Sequence, residues 1–239
     1  MLASTSRHAV ALARLADLSL PGNVRLGLTA TEPVPRLPSG ITGVDALLGG
    51  GLPRGRISEV LGPLTSGKTA LLWVLLAAAT RRGEVVALVD LADALHPASV
   101  AAAGVVLERV LWVRPPSLTD GLRCTELLLQ AGGFGVVAFD VGALLPRPLR
   151  ARVWPRLLHA AERSHTALVV LAPQRVAGSC AVLSLSMCPR TVRWHHGAWL
   201  LFDGFDTALR VERNKLGGSE AHSVKLKATS QSLAFSCPR

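Results

Sequence analysis

Aromatic side chains are scarce in this chain. Tyrosine is absent, and the 239 residues include only 5 tryptophans and 5 phenylalanines. Proteins that hold single-stranded nucleic acid in a groove combine cationic contacts with aromatic side chains on which the bases stack. The sequence offers many cationic side chains and few aromatic ones, so it argues against a groove of that kind.

Cysteines and long apolar runs are also lacking. The four cysteines form neither a CxxC pair nor a His/Cys metal pattern, which predicts free thiols, no structural metal and a cytoplasmic location. No apolar run reaches the roughly 20 residues of a membrane span, so no membrane partner is expected. The cysteines are Cys124, Cys180, Cys188 and Cys237.

Acidic residues are outnumbered, with 16 of them against 26 basic residues and a net charge of +10. A strongly basic chain favours acidic partners, either DNA or an acidic protein surface. Arginine accounts for almost all of the excess, since only 4 of the basic residues are lysines. Arginines scattered along a chain do not define a patch. Weak DNA binding through a basic surface is therefore one prediction, and binding to an acidic protein is the other.

One motif carries clear chemistry. Residues Gly62–Thr69 read GPLTSGKT and fit the phosphate-loop pattern G-x-x-x-x-G-K-[ST]. Gly62 and Gly67 let the backbone curl so that its N–H groups face phosphates, Lys68 reaches the β/γ oxygens, and the Thr69 hydroxyl can hold Mg²⁺. An apolar run precedes the loop and a helical pattern follows it. This context favours a nucleotide site over an incidental glycine-rich turn.

Strands and helices alternate through most of the chain, which predicts an α/β fold with a mostly parallel sheet flanked by helices. After Thr191 the helices stop, so the C-terminal strands should be antiparallel and extend one edge of the sheet. Residues 1–36 are interpreted as an N-terminal arm with a short helix and a linker, and residues 37–239 as the core domain. The predicted strands are Ile57–Leu61, Val85–Asp90, Arg109–Val113, Val136–Asp140, Ala167–Ala172, Arg193–His196, Ala198–Asp203, Ala208–Arg213 and His222–Ala228. The predicted helices are Arg7–Leu18, Ala70–Thr80, Ala98–Gly104, Leu118–Ala131 and Leu149–Arg163.

The segment Leu37–Thr69, reading LPSGITGVDALLGGGLPRGRISEVLGPLTSGKT, resembles the start of the RecA recombinase core. The resemblance continues through LVDLADALHP (88–97), VVAFD (136–140), Gln174 and VERNK (211–215), and covers roughly residues 37–228. Within the RecA superfamily the chain looks most like the ImuA group, also labelled SulA-like. That group comprises accessory proteins of SOS mutagenesis encoded beside ImuB and an error-prone polymerase.

The resemblance assigns roles to particular residues. Asp140 matches the Walker B aspartate, which with Thr69 would hold Mg²⁺, and Gln174 matches the glutamine that senses the γ-phosphate. Arg213 and Lys215 match paired lysines that reach the ATP of a neighbouring protomer, although a solvated strand end explains them nearly as well. The nucleotide-binding set implied in this way is Gly62, Thr65, Ser66, Gly67, Lys68, Thr69, Asp140 and Gln174.

Three positions depart from the family pattern. Ala92 stands where the resemblance implies the catalytic glutamate, and a methyl group cannot activate water. His96 and Ser99 stand where the family has an aspartate for the adenine amino group and a tyrosine that stacks on the ring. Both DNA-binding loops of the family, after Asp140 and after Gln174, are expected to be shortened. No catalytic residue is therefore assigned, and Mg·ATP is a doubtful cofactor.

These features lead to two functional hypotheses. The first is an adaptor in SOS-induced translesion DNA synthesis that binds RecA and/or ImuB and the error-prone polymerase, with ATP hydrolysis lost or very weak. The segment Ser6–Leu20 is its candidate contact. The alternative is a DNA-stimulated ATPase with residual recombinase activity, in which Asp90 or Asp93 would replace the missing base.

Overall fold

The computed structural model describes residues 34–142, 152–196, 200–217, 223–229 and 235–236. Residues Pro35–Arg239 form one compact unit. The proposed arm helix, most of the proposed linker and the segment expected to replace the first DNA-binding loop lie outside the described residues. The division into an arm and a core therefore stays a prediction.

The described residues form one sheet of nine strands and a separate two-residue pair, β1 with β2. The order across the sheet is β11-β10-β9-β8-β3-β7-β6-β4-β5. Strands β8, β3, β7, β6, β4 and β5 run parallel, whereas β8–β9, β9–β10 and β10–β11 pair antiparallel. The strands are β1 Arg36–Leu37, β2 Leu52–Pro53, β3 Ile57–Leu61, β4 Val85–Asp90, β5 Val110–Val113, β6 Phe134–Asp140, β7 Ala167–Ala172, β8 Ala181–His196, β9 Leu200–Asn214, β10 Ser223–Thr229 and β11 Phe235–Ser236.

Helices cover both faces of the parallel part of the sheet, and each face has its own apolar core. The core on one face contains buried residues of α1, α2 and α3, and the core on the other contains residues of α4 and α5. Strand β7 is buried along its whole length because it is covered on both sides. The helices are α1 Thr42–Leu48, α2 Lys68–Arg81, α3 Pro97–Ala102, α4 Leu118–Ala131 and α5 Val153–Ser164.

The predicted fold class is confirmed, but two details of the C-terminal part are wrong. Strand β8 begins at Ala181, whereas the sequence predicts no strand between β7 and Arg193; it pairs parallel with β3 on one side and, from Leu183 onward, antiparallel with β9 on the other. Strand β9 is continuous where the sequence predicts two strands. The register shifts at Arg190 and at Asp203, where a bulge lets the pairing continue past one extra residue.

No helix in the described part of the chain is long and apolar enough to cross a membrane. Three of the four cysteines, Cys124, Cys180 and Cys188, lie in the described part and are free thiols. Among the described residues, no three His, Cys, Asp or Glu side chains come together as a metal-binding group.

Candidate functional site

The loop Gly62–Thr69 connects the end of β3 to the first residues of α2. Thr65 and Gly67 have left-handed backbone, with φ of 64° and 92°. A side chain at Gly62 would meet the Met187 carbonyl oxygen, which lies 2.8 Å from the position of a Cβ there. The result is a tightly curled loop at the N-terminus of a 14-residue helix, a geometry that concentrates N–H groups for an anion.

The Lys68 ammonium donates to the Gly62 carbonyl of its own loop. Partial burial lowers the pKa of Lys68, and the carboxylate of Asp140 raises it. Within the same loop Ser66 is buried, whereas Thr65 and Thr69 are exposed. This bond uses one of the three hydrogens of the ammonium and leaves two for a bound anion.

Two aspartates end adjacent strands beside this loop. Strands β4 and β6 pair parallel, and in their register Asp90 of β4 lies opposite Asp140 of β6. Burial raises the pKa of Asp140, as does the neighbouring charge of Asp90, whereas the N–H of Gly142 and the charge of Lys68 lower it. The Asp90 carboxylate is buried and already accepts bonds from the Leu95 N–H at 2.9 Å and the indole N–H of Trp112 at 3.3 Å.

Ala92 packs near Gly142, two residues after Asp140. Its Cβ is 3.4 Å from the position that a Cβ would take at Gly142, and the Gly142 N–H donates to Asp140 Oδ1 at 2.9 Å. The neighbouring Asp93 is 58% exposed at its side chain and forms a 3.7 Å ion pair with Arg114. Ala92 therefore contributes only a methyl group near Gly142, whereas Asp90 holds its bonds through Oδ2 and Asp93 pairs with Arg114.

His96 and Ser99 form the N-terminal cap of α3. The Ser99 N–H donates to His96 Nδ1 at 3.3 Å, and the Ser99 hydroxyl lies 2.9 Å from the same nitrogen. These two side chains satisfy each other and the start of the helix. Ser99 has no ring on which a base could stack, and the His96 ring is held by these cap contacts.

Gln174 follows β7 at the same edge of the sheet as the phosphate loop, and its side chain is exposed. The segment after it is fixed by Glu59, which sequence reasoning missed. The Glu59 side chain is 0% exposed and accepts from the N–H groups of Val176 and Ala177, at 2.8 and 2.7 Å, and from the Ser184 hydroxyl at 2.9 Å. The signal that could have revealed it is a lone carboxylate within the apolar run that forms β3.

Arg213 and Lys215 bond to their own chain. The Arg213 guanidinium donates to the Gly178 carbonyl at 2.9 Å, and the Lys215 ammonium donates to the Ser179 carbonyl. Both side chains therefore hold the segment that follows Gln174. These bonds must break before either cation can reach a neighbouring protomer, so the predicted interface role stays a prediction.

Comparison with known proteins places this site in a family. The RecA N-terminal domain matches residues 18–151, which is more than half of the chain. The chain belongs to the RecA family. RecA of Thermus thermophilus is 41% identical over 126 residues, and RecA of Streptomyces avermitilis is 39% identical over 126 residues.

The alignment to RecA is partial for both proteins. It covers 52% of this chain and 37% of Thermus thermophilus RecA, so the chain spans little more than a third of the curated relatives it matches. The RadB recombinase structure has the same fold, with a TM-score of 0.65 and 19% identity over 85% of this chain and 100% of that one. The RecA family membership therefore rests on the N-terminal domain, and the fold extends through the C-terminal strands.

Removing the charge of Asp140 should stabilise this RecA-family protein in the absence of ligands. Because its pKa is raised in the folded state, ionisation at neutral pH works against folding. We expect Asp140→Asn to raise Tm near pH 7 by a few degrees, at about 2–4 °C per kcal/mol for a domain of this size. The gain should shrink as pH falls through the raised pKa and vanish below the ordinary value of 3.8, where both states are protonated. Calorimetry between pH 3 and 8 measures this, with the exposed Asp93→Asn as control, and a lower Tm for Asp140→Asn at pH 7 would contradict it.

Proposed function

We propose that this RecA-family chain is an ImuA-like accessory protein of SOS-induced translesion DNA synthesis. In this role it binds RecA, ImuB and the error-prone polymerase, and its own ATP hydrolysis is absent or very weak. The observation that carries the proposal is that Ala92, whose Cβ lies 3.4 Å from the Cβ position of Gly142, contributes only a methyl group where the resemblance implies a glutamate. A RecA-type fold with a methyl group at this place suits binding better than turnover.

The carboxylates near the site do not supply a general base. Asp90 is 3% exposed and holds both the Leu95 N–H and the Trp112 indole. Asp93 has a left-handed backbone, with φ of 50°, and its exposed side chain forms an ion pair with Arg114. A general base must come within hydrogen-bond reach of the attacking water. Both bonds to Asp90 end on Oδ2, so a water would have to reach the remaining Oδ1 of a 3% exposed residue, and Asp93 would have to turn away from Arg114.

The residues fit a magnesium nucleotide at its phosphates better than at its base. The N–H groups of the loop Gly62–Thr69 and the Lys68 ammonium would hold the phosphates, and the Thr69 hydroxyl with Asp140 would hold Mg²⁺. When bound, the metal would neutralise phosphate charge. Ser99 offers the base no ring where the resemblance implies a tyrosine, and losing such a contact costs on the order of 1 kcal/mol or more. We therefore propose weak nucleotide binding at most.

Two measurements test this function. Biolayer interferometry with the RecA, ImuB and polymerase of the same cell should show binding at least to RecA or ImuB. Phosphate release with Mg·ATP, with and without single-stranded DNA, should stay at background. An absence of binding to all three proteins would overturn the adaptor role.

The alternative is a DNA-stimulated ATPase, and the intact phosphate loop together with Asp140 favours it. It requires phosphate release that rises with single-stranded DNA and is abolished by Lys68→Ala. Micromolar affinity for Mg·ATP in a calorimetric titration would also contradict our proposal that the chain binds nucleotide weakly at most. The interface roles of Arg213 and Lys215 belong to this alternative, and substituting both with alanine should then reduce the release.

A further inference from the structure

Strands β8 and β9 continue together beyond the point where β3 ends, and β10 pairs with the other side of β9 as far as Gly204. The last residue of β3, Leu61, pairs with Ser186, and β8 then runs on to His196 with β9 beside it. We define the ribbon as residues 187–196 and 200–207. Because β8 and β3 are parallel, the ribbon leaves the sheet at the same edge as the phosphate loop.

The ribbon contacts the phosphate loop at its base. The Met187 carbonyl oxygen packs so closely on Gly62 that a Cβ there would lie 2.8 Å from it. On β9, the completely buried Thr207 places its hydroxyl 3.1 Å from the Ser66 carbonyl of the loop and 3.1 Å from the Cys188 carbonyl of β8. A hydroxyl has one hydrogen, so these two carbonyls compete for it.

The bond from Thr207 has a consequence for the next amide of the loop. In a trans peptide the C=O and the following N–H point in opposite directions, and the described part of the chain contains no cis peptide. Fixing the Ser66 carbonyl toward the buried Thr207 hydroxyl therefore turns the Gly67 N–H away from it. That N–H belongs to the curled loop at the start of α2, where an anion would be held.

We propose that Thr207 is a positioning residue of the phosphate loop and couples the loop to the ribbon. With its hydrogen on Ser66, Thr207 holds the Ser66–Gly67 peptide in one orientation. When the Thr207 hydroxyl donates to the Cys188 carbonyl instead, the Ser66–Gly67 peptide is released and the two ribbon strands are tied to each other. This coupling rests on the proposed nucleotide binding for its biological use, but the contact itself exists in the chain without a ligand.

Side-chain contacts connect the residues in the far part of the ribbon to each other and to β10. The Arg193 guanidinium bonds to Asp206 and to the Ala228 carbonyl of β10, the latter at 2.9 Å, which ties the ribbon to the neighbouring strand. Trp194 and Phe202 form an edge-to-face pair with ring centroids 5.9 Å apart. Backbone pairs and side-chain contacts thus connect Thr207 to the far part of the ribbon.

Hydrogen exchange of the ligand-free protein tests the coupling directly. Thr207→Val keeps the shape of the side chain but removes the hydroxyl, so amides of residues 66–71 and of the ribbon should exchange several-fold faster than in the wild type. Thr207→Ser keeps the hydroxyl and should restore the wild-type pattern. Thr191→Val, on the exposed side of the same ribbon, should change neither region.

Each outcome decides between positioning and simple packing. Unchanged exchange of residues 66–71 in Thr207→Val would overturn the proposal, as would equal acceleration in Thr207→Ser, which points to the methyl group. Where the wild type binds Mg·ATP, Thr207→Val should weaken the affinity about five-fold, the scale of one lost hydrogen bond. Absence of Mg·ATP binding by the wild type would remove the nucleotide role and leave the exchange test of Thr207 intact.

Discussion

Replacing Ala92 with glutamate should raise phosphate release at saturating Mg·ATP about a hundredfold, the lower end of what a positioned general base contributes. The Ala92 Cβ already lies 3.4 Å from the Cβ position of Gly142, whose N–H holds Asp140. A glutamate at this position carries a carboxylate where the resemblance implies the catalytic base. The other parts of a phosphate site are present in the chain, so the base is the part that the substitution restores.

The design separates the base from other effects of a longer side chain. Ala92→Gln has the same size and no basic carboxylate, so its rate should stay near that of the wild type. Ala94→Glu adds the same charge at a neighbouring exposed position and should also have little effect. Lys68→Ala in the Ala92→Glu background should abolish the gain. Equal rates in the wild type and in Ala92→Glu would mean that the chain either does not bind Mg·ATP or has another base.

Much of the fold follows from periodicity and apolar runs. Strands Ile57–Leu61, Val85–Asp90 and Ala167–Ala172 and helix Leu118–Ala131 have the bounds that the sequence predicts. These elements lie in the parallel core, where burial on both faces demands continuous apolar strands and amphipathic helices. Local sequence and tertiary packing agree there, so boundaries are well defined by sequence alone.

The C-terminal strands show where that agreement ends. Pro189 and Gly204 look like strand breakers, and both lie inside long strands at or beside register shifts. A proline lacks the N–H that a paired strand needs, and a bulge removes that need. Only the pairing of β8 with β3 on one side and β9 on the other makes a strand of this irregular segment. Such pairing is a property of the sheet and has no local signature.

The candidate site likewise contains residues that can be recognised from local sequence and residues that cannot. The motif residues Lys68 and Asp140 are recognisable because their chemistry requires a fixed spacing or a strand end. Thr207 and Glu59 are not, because each acts on a segment more than 100 residues away, on Ser66 and on Val176. A threonine in a strand has many explanations. A carboxylate in a buried strand has few, and Glu59 was therefore the more predictable of the two.

Substituting Glu59 with leucine should lower the free energy of unfolding by about 3–5 kcal/mol, the range for removing one partner from a buried charged network. The side chain is 0% exposed, and its loss leaves the N–H groups of Val176 and Ala177 and the Ser184 hydroxyl without an acceptor. Each orphaned buried donor costs about 1–3 kcal/mol. The segment after Gln174 should lose its anchor at the same time, so its amides should exchange faster even where the rest of the sheet is intact.

Urea unfolding of three variants distinguishes the acceptor from the charge. Glu59→Gln keeps one carbonyl oxygen for the two backbone N–H groups and can donate to the Ser184 hydroxyl, so its loss should be about 1 kcal/mol. Ser184→Ala removes one partner and leaves the carboxylate bound to both N–H groups, with a similar small loss. A buried charge carries its own desolvation cost, and an apolar side chain of comparable volume sometimes recovers it. Wild-type stability in Glu59→Leu would show that this recovery outweighs the three lost bonds and the 3.9 Å ion pair of Glu59 with Arg175.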